Sequence, residues 1–401
     1  MAAGVEPLRV AVLSELPTPY RWPLHRKVAA EPGLDVTVLF YARTEADRDW
    51  GLDVEADAAR DGRPRVEFLR GRALAVRGRR SLFFHWNPSV WRRLREGRFE
   101  VVVVPGWSMP TSLLAALACR LRRVPYVLFS ETHALRRRPW WLRAVKRIAL
   151  RPLVGGASAW LATGSLSEAY LRAHGAREGR VFRFANTPDV AALREAVLRE
   201  RPRRGEVRAE LGVPPEGVLV LFVGRLIAAK GPGTLVAAQA LLERDLGDRA
   251  PWLVLAGEGP EEAALRAAAS REGLRRVRFA GSRRPAELPA LYAAADAFAL
   301  PSTHEPWGVV VNEAMAAGLP VVLSDRVGAA ADLLVDGVNG RLVPAADPRA
   351  LAQALTELAQ DAGLRRRMGE ESQRMVVSDW DHGPSVRGFV EAVRTAAGRR
   401  P

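Results

Sequence analysis

A chain of 401 residues is too long for one ordinary core and points to two domains, and its 48% apolar and 26% charged residues exclude a disordered protein. The single cysteine, Cys119, excludes an intramolecular disulfide framework and fits a reducing cytoplasm, and no uncharged apolar run reaches the ~18 residues of a spanning helix. The net charge of +15 is uneven: residues 1–200 carry 34 Lys+Arg against 20 Asp+Glu, residues 201–401 carry 26 against 25, and the stretch 70–151 alone carries 19 against 3, a field that attracts an anionic partner.

In chain order, "MAAGVEPLRVAVLSELP" has no charged segment followed by a long apolar stretch, so it reads as a first strand rather than an export signal. "LRVAVLSEL", "LDVTVLFYA", "FEVVVVPGW" and "PYVLFSET" are short, β-branched apolar runs of the kind found in buried parallel strands, and "SAWLATG" and "RVFRFAN" extend the series. Helical stretches lie between them, among them "SLLAALACRLRR", where Cys119 reads as a small buried hydrophobe. The charged, Gly- and Pro-containing segment 192–217 interrupts the pattern and reads as a linker. The alternation then resumes with "GVLVLFVGR", "WLVLAGEG", "RVRFAG", "AFALPS" and "PVVLSD". The expectation is an α/β protein of two Rossmann-like, doubly wound domains, 1–195 and 196–375, with a ligand cleft at the carboxyl ends of the strands. Residues 376–401 form a helix, patterned by Val386, Phe389, Val390 and Val393, that packs back on the body.

Three stretches carry chemistry. In "LVLFVGRLIAAKGPGTLVAA" a strand ends at Gly224, the cations Arg225 and Lys230 follow, and Gly231-Pro232-Gly233 opens a helix. Phosphate needs converging donors, positive charge and close backbone approach, which glycine permits. Only three of the 60 basic residues are lysines, which sets Lys230 apart from a solvated arginine-rich loop. No Walker A pattern occurs. The G-x-G of Gly257 and Gly259 fits a tight turn as well as a ligand contact. In "HEPWGVVVNEAMAAGLP", Pro306 keeps Glu305 out of the helix that Gly308 opens, Glu313 lies inside that helix, and Gly318 caps its end. Amides near Gly308, Val309 and Val310 can bind phosphate oxygens. Either carboxylate can accept hydrogen bonds from two hydroxyls of a diol.

The run from "VGRLIAAKG" through "VLAGEGP" to "VRFAGSRRPAELPALYAAADAFALPSTHEPWGVVVNEAMAAGLPVVLSDRVGAAADLLVDGVNGRLV" closely resembles the C-terminal half of the family 4 (group 1) retaining glycosyltransferases of GT-B architecture, densely over 218–350. The resemblance implies two Rossmann-like domains facing a central cleft, a nucleotide-sugar donor, transfer with retained configuration, and no metal. It implies that Arg225 and Lys230 hold the diphosphate, with Gly224 among the donor-binding residues. Glu305 would face the donor sugar with backbone from Trp307, Gly308 and Val309, and Glu313 the ribose. It also brings His133 toward the reacting sugar, against the plainer reading of a loop histidine. The catalytic set is then Glu305, His133, Arg225 and Lys230. The six histidines show no ligand spacing, and "DRD" at 47–49 reads as a chance match to a metal motif. One departure stands out: many relatives carry a Gly-Gly loop after the first strand, where this chain reads "SELPTPYRWPLHR", with a Pro-Tyr-Arg turn similar to that of some bacterial members. There Tyr20 and Arg21 either line an acceptor site or belong to a rigid proline turn.

The acceptor is read from the basic N-terminal half. "RGRRSLFFHWNPSVWRRLR" and "LRRRPWWLRAVKRIALRPL" mix arginines with Trp and Phe, and Trp141, Val145, Ile148 and Ala149 share a helical face edged by Arg143, Lys146, Arg147 and Arg151. Such a helix can lie on an anionic membrane. A cytoplasmic enzyme, peripheral on the inner face of the cell membrane, would then glycosylate a polyprenyl- or lipid-linked acceptor for a cell-envelope or exopolysaccharide glycan. A soluble natural-product acceptor is the alternative with the same donor chemistry, and a non-catalytic nucleotide-sugar-binding protein is a third reading. No nucleic-acid module accompanies the charge.

Overall fold

The computed structural model describes residues 6–45, 50–75, 83–135 and 139–399. It divides into two compact units, Met1–Asn186 with His382–Pro401, and Thr187–Asp381. The first unit contains β1 Leu8–Ser14, β2 Leu34–Phe40, β3 Arg65–Phe68, β4 Arg72–Ala75, β5 Phe83–Trp86, β6 Val101–Pro105, β7 Tyr126–Ser130, β8 Ala159–Ala162 and β9 Val181–Arg183. Seven of them form a parallel sheet in the order β3-β2-β1-β6-β7-β8-β9, and β4 and β5 make a separate antiparallel pair. The second unit contains β10 Leu219–Val223, β11 Trp252–Ala256, β12 Val277–Gly281, β13 Ala297–Leu300, β14 Val321–Ser324 and β15 Gly340–Val343, in the order β12-β11-β10-β13-β14-β15. Both sheets are doubly wound, and both reverse strand order beside the first strand of the unit.

The strands read as continuous apolar runs because both faces of each sheet are covered. Successive side chains point to opposite faces. Val10 and Val12 of β1 join one core cluster with Val36, Val38, Val101 and Val103. Ala11 and Leu13 join the other with Leu39, Val102 and Val104. Cys119 belongs to that second cluster, 2% exposed, and burial pushes its thiol up to about 12, as expected of a hydrophobe rather than a nucleophile.

The division falls at 186/187, not at 195/196. The helix Val190–Glu200, capped by Asp189 on the Ala192 amide, runs through the expected boundary and packs on helices Leu288–Ala294 and Val309–Ala316. The arginine-rich segment that reads as a linker is anchored instead. Arg204 and Arg208 both pair with Asp296, and Arg208, 2% exposed, also donates to the Ala294 carbonyl at 3.0 Å. The C-terminal segment also divides differently from 376–401. Helix Ala362–Asp379 belongs to the second unit, while helix His382–Ala396 sets Phe389 5.4 Å from Phe184 in the first unit's core. Gly388 lets it approach β9, since a Cβ there would lie 2.1 Å from the Arg183 carbonyl oxygen. Among the described residues no helix is long and apolar enough to cross a membrane.

Candidate active site

Doubly wound sheets bind ligands beyond the carboxyl ends of their strands, where the strand order reverses. In the second unit that point lies between β10 and β13. After β10 comes Gly224 at φ 153, its amide bonded to the Ala256 carbonyl at 3.0 Å, with Arg225 half-buried next to it. A Cβ on Gly257 would lie 1.9 Å from the Gly224 oxygen, and one on Gly259 would lie 2.3 Å from the Leu226 oxygen. Backbone approach between two loops therefore accounts for the G-x-G pattern without a ligand.

A 3-10 turn, Ala228–Lys230, and Gly231 at φ 71 lead into helix Pro232–Leu246. This loop is laced to the one after β13. The amides of Thr303 and His304 donate to the Ala229 carbonyl at 2.9 and 3.3 Å, and a Cβ on Gly231 would lie 2.2 Å from the Pro301 oxygen. That lacing brings Lys230 and Glu305, 75 residues apart in sequence, into an ion pair whose side chains are 22% and 9% exposed. Glu305 is held from its other side too. Its amide donates to Arg326 at 3.1 Å and its carbonyl accepts from Gly328 at 2.9 Å.

Gly308, at φ 97, is the N-cap of helix Val309–Ala316, a conformation that favours glycine. The helix ends with Ala317 as C-cap, followed by Gly318 at φ 79. Its first amides have no intrahelical acceptor and carry the positive end of the helix dipole. Trp307 is 3% exposed, donates from Nε1 to Asn312 Oδ1 at 3.0 Å, packs at a tilt 5.3 Å from Trp380, and accepts on its carbonyl from the Ala329 amide at 3.0 Å. Its side chain and carbonyl thus fasten the helix start to the core. Glu313 accepts from the Tyr292 hydroxyl at 2.7 Å. Burial holds the Glu313 carboxyl above the usual carboxylate range, and the Tyr292 bond offsets part of that rise. Tyr292 itself, 1% exposed, is pushed up by burial and by the Glu313 charge. Sequence reading missed Tyr292; the one signal was a polar tip inside the apolar helix Leu288–Ala294.

In the first unit the reversal lies between β1 and β6. Arg21 is the N-cap residue of helix Trp22–Ala30. It pairs with Glu131, just past β7, donates from Nε to Asn186 Oδ1 at 3.0 Å, and lies 4.6 Å from the Phe129 ring centroid. Its guanidinium is thus fixed from three sides, while Tyr20 stands half-buried in the turn before it. Burial, reinforced by Glu131, raises the Glu15 carboxyl above its ordinary value, and Arg21 pulls the other way. His85 and Glu45 form a buried pair at 2.7 Å nearby. His133 is 7% exposed and accepts the Leu135 amide on Nδ1 at 3.3 Å, so a neutral ring carries its proton on Nε2. Glu15, Glu131, Asn186 and the His85–Glu45 pair had no motif to announce them. The "DRD" at 47–49 lies outside the described residues.

Residues 203–375 match the family model described as glycosyl transferases group 1, and residues 20–187 match the glycosyl transferase 4-like domain. A D-inositol 3-phosphate glycosyltransferase of Corynebacterium glutamicum (strain R) is 42% identical over 171 residues, 41% of this chain and 40% of that relative. Its namesake in Salinispora arenicola is 37% identical over 193 residues, 46% of this chain and 42% of the relative. The chain therefore spans less than half the length of the curated relatives it matches. The crystal structure of the Anabaena protein HepE, in complex with UDP and glucose, aligns with a TM-score of 0.72 at 21% identity, over 96% of this chain and 99% of its own, a likeness of fold.

Proposed function

The chain belongs to the group 1, family 4 glycosyltransferases of the GT-B fold, and from that premise we propose that it transfers a sugar from a nucleoside-diphosphate donor to an acceptor hydroxyl with retained configuration. The observation that carries this reading is the Lys230–Glu305 pair, set at the strand-order reversal beside the N-terminus of helix Val309–Ala316. A cation and open helix amides suit a diphosphate, and a nearly buried carboxylate suits sugar hydroxyls. In this reading Lys230 leaves Glu305 for the phosphate oxygens when donor binds, Arg225 joins it, and Glu313 takes the ribose hydroxyls while Tyr292 orients it. Gly224 and Gly308 let the backbone approach, and amides of the segment Trp307–Val309 meet the donor.

The bond from the anomeric carbon to the departing phosphate oxygen breaks while the acceptor oxygen bonds the same face. The acceptor proton passes to the departing phosphate. Arg225, Lys230 and the helix amides stabilise the charge that develops there, the electrostatic contribution that usually dominates. His133 hydrogen-bonds the reacting sugar through Nε2. With the charge met by protein groups, transfer needs no metal, and chelation with EDTA leaves the rate unchanged.

The acceptor is lipid-linked and the enzyme peripheral to a membrane, working in cell-envelope or exopolysaccharide synthesis. The exposed aromatic and apolar residues of helix Trp140–Gly155 support this. The matched relatives are named for D-inositol 3-phosphate. Tyr20 and Arg21 remain the proposed acceptor residues. The test is a panel of UDP-, GDP- and dTDP-sugars scored by thermal shift and by nucleoside diphosphate release, with the anomeric configuration of the product read by NMR. One donor should stabilise the chain and release its diphosphate on acceptor addition. Binding without release under every acceptor would leave a nucleotide-sugar-binding protein instead.

A further inference from the structure

Helix Pro110–Leu121 follows β6 and helix Trp140–Gly155 follows β7. Both cover the same sheet face, since Ala115 and Ala118 of one and Leu150 and Val154 of the other share a core cluster with Leu128 and Trp160. β6, β7 and β8 are successive neighbours, so right-handed crossovers lay the two helices side by side. Arg120 Nη1 ties them, donating to the Pro152 carbonyl at 3.1 Å.

Their outer surfaces are apolar where water should be. Leu113, Leu117 and Leu121, four residues apart on one side of the first helix, are 47%, 50% and 66% exposed. On the second helix Trp141, Val145 and Ile148 are 53%, 59% and 75% exposed. Neither helix contains an Asp or Glu, so the exposed Arg120, Arg122, Arg147 and Arg151 have no acid on their own helix. Single exposed apolar residues are ordinary, but a stripe on each of two adjoining helices marks a surface that meets a partner. The leucine stripe is visible as surface only in the fold.

We propose that this two-helix face docks on an anionic lipid bilayer. Leu117, Leu121, Trp141 and Ile148 enter the interfacial layer, and the arginines meet headgroup phosphates. Charge selects this occupant. A second copy of the face would set cations against cations with no acid on either helix to pair them. A nucleic acid would meet the arginines and leave the leucine stripe in water. The proposal rests on the lipid-linked reading only for its purpose, which is to hold the enzyme where such an acceptor lies.

The test is co-sedimentation of the full chain with phosphatidylcholine vesicles, with and without phosphatidylglycerol, at ~0.15 M salt, where screening removes weak long-range attraction. The chain is expected to bind only the vesicles containing phosphatidylglycerol. Leu117→Glu with Ile148→Glu, and separately Arg147→Glu with Arg151→Glu, should each cut the bound fraction at least ~10-fold. Diphosphate release with a soluble hydroxyl acceptor should stay unchanged in both variants, which also shows that they fold. Equal binding to both vesicle types, no binding at all, or a dimer that Leu117→Glu with Ile148→Glu dissolves without any vesicle binding would each overturn the docking face. Vesicle binding without diphosphate release from any donor would instead count against the transferase reading and leave the docking face standing.

Discussion

The two units share one strand order but build the strand-order reversal in opposite ways. In the second, the loops there turn on Gly224 at φ 153, Gly231 at φ 71, Gly257 at φ 145 and Gly308 at φ 97, and they are knitted together by backbone contacts. In the first, the segment after β1 contains no glycine and is held by prolines and by Arg21 bonded to Glu131 and Asn186. Loops fixed by backbone contact tolerate little change of shape, whereas side-chain pairs such as Arg21–Glu131 can be changed one at a time; under the proposed function the first arrangement would suit a constant donor and the second a varying acceptor. The outer surfaces differ as well: the first unit carries the two-helix apolar and basic face, while the exposed large apolar residues of the second are Leu198 and Val377 on two helices and Val335, Val338 and Leu342 in and beside the turn before β15.

If the donor belongs to the second unit and the acceptor to the first, substitutions should separate accordingly. The largest effect is expected for Lys230→Ala. Turnover should fall on the order of 10²–10³-fold with loss of a cation facing the departing diphosphate, measured as diphosphate release at saturating acceptor. Gly257→Ala comes next and acts on the fold. Its Cβ would lie 1.9 Å from the Gly224 oxygen at a φ that disfavours a side chain, so a destabilisation of roughly 2–4 kcal/mol is expected in urea unfolding. The corresponding test in the first unit is Arg21→Ala, which should raise the acceptor KM roughly 10-fold through loss of a charge-assisted contact and leave donor affinity in calorimetry where it was. A matching loss of donor affinity would erase the distinction between the units.

The smallest effect concerns Glu313 and pH. Its folded carboxyl sits above the ordinary value of 4.5. The ionised form, which the proposed function assigns to the ribose hydroxyls, is therefore lost on acidification at a higher pH than for a common carboxylate. For stability the sign is opposite: a raised folded pKa gives a contribution that is complete below the unfolded value and lost as pH rises through the folded one. Glu313→Gln should weaken donor binding about 3-fold and flatten its acid limb, while gaining unliganded stability relative to wild type as pH rises. Paired pH series of calorimetry and thermal melting check both.

What was legible in the sequence is what physics makes local. Apolar β-branched runs marked the strands, and glycines marked the loops of the second unit because few other residues tolerate those backbone angles. Pairs between distant segments left no trace. Arg204 and Arg208 looked like a solvated linker because their partner, Asp296, lies some 90 residues on. Tyr292 beneath Glu313, Glu131 beside Arg21 and the buried His85–Glu45 pair escaped for the same reason. Leu113, Leu117 and Leu121 carried no sign of exposure in the sequence, and only packing shows that the alanines and Cys119 face inward while these leucines face out.

The central claim is that Glu305 grips the sugar and Lys230 the diphosphate. Calorimetric titration of wild type and Glu305→Ala with the donor, and with its nucleoside diphosphate alone, tests it most directly. The account predicts that Glu305→Ala weakens the intact donor at least ~10-fold, the loss of charge-assisted bonds to hydroxyls, and leaves the free diphosphate bound as in wild type. Equal weakening of both ligands, or of neither, would contradict it.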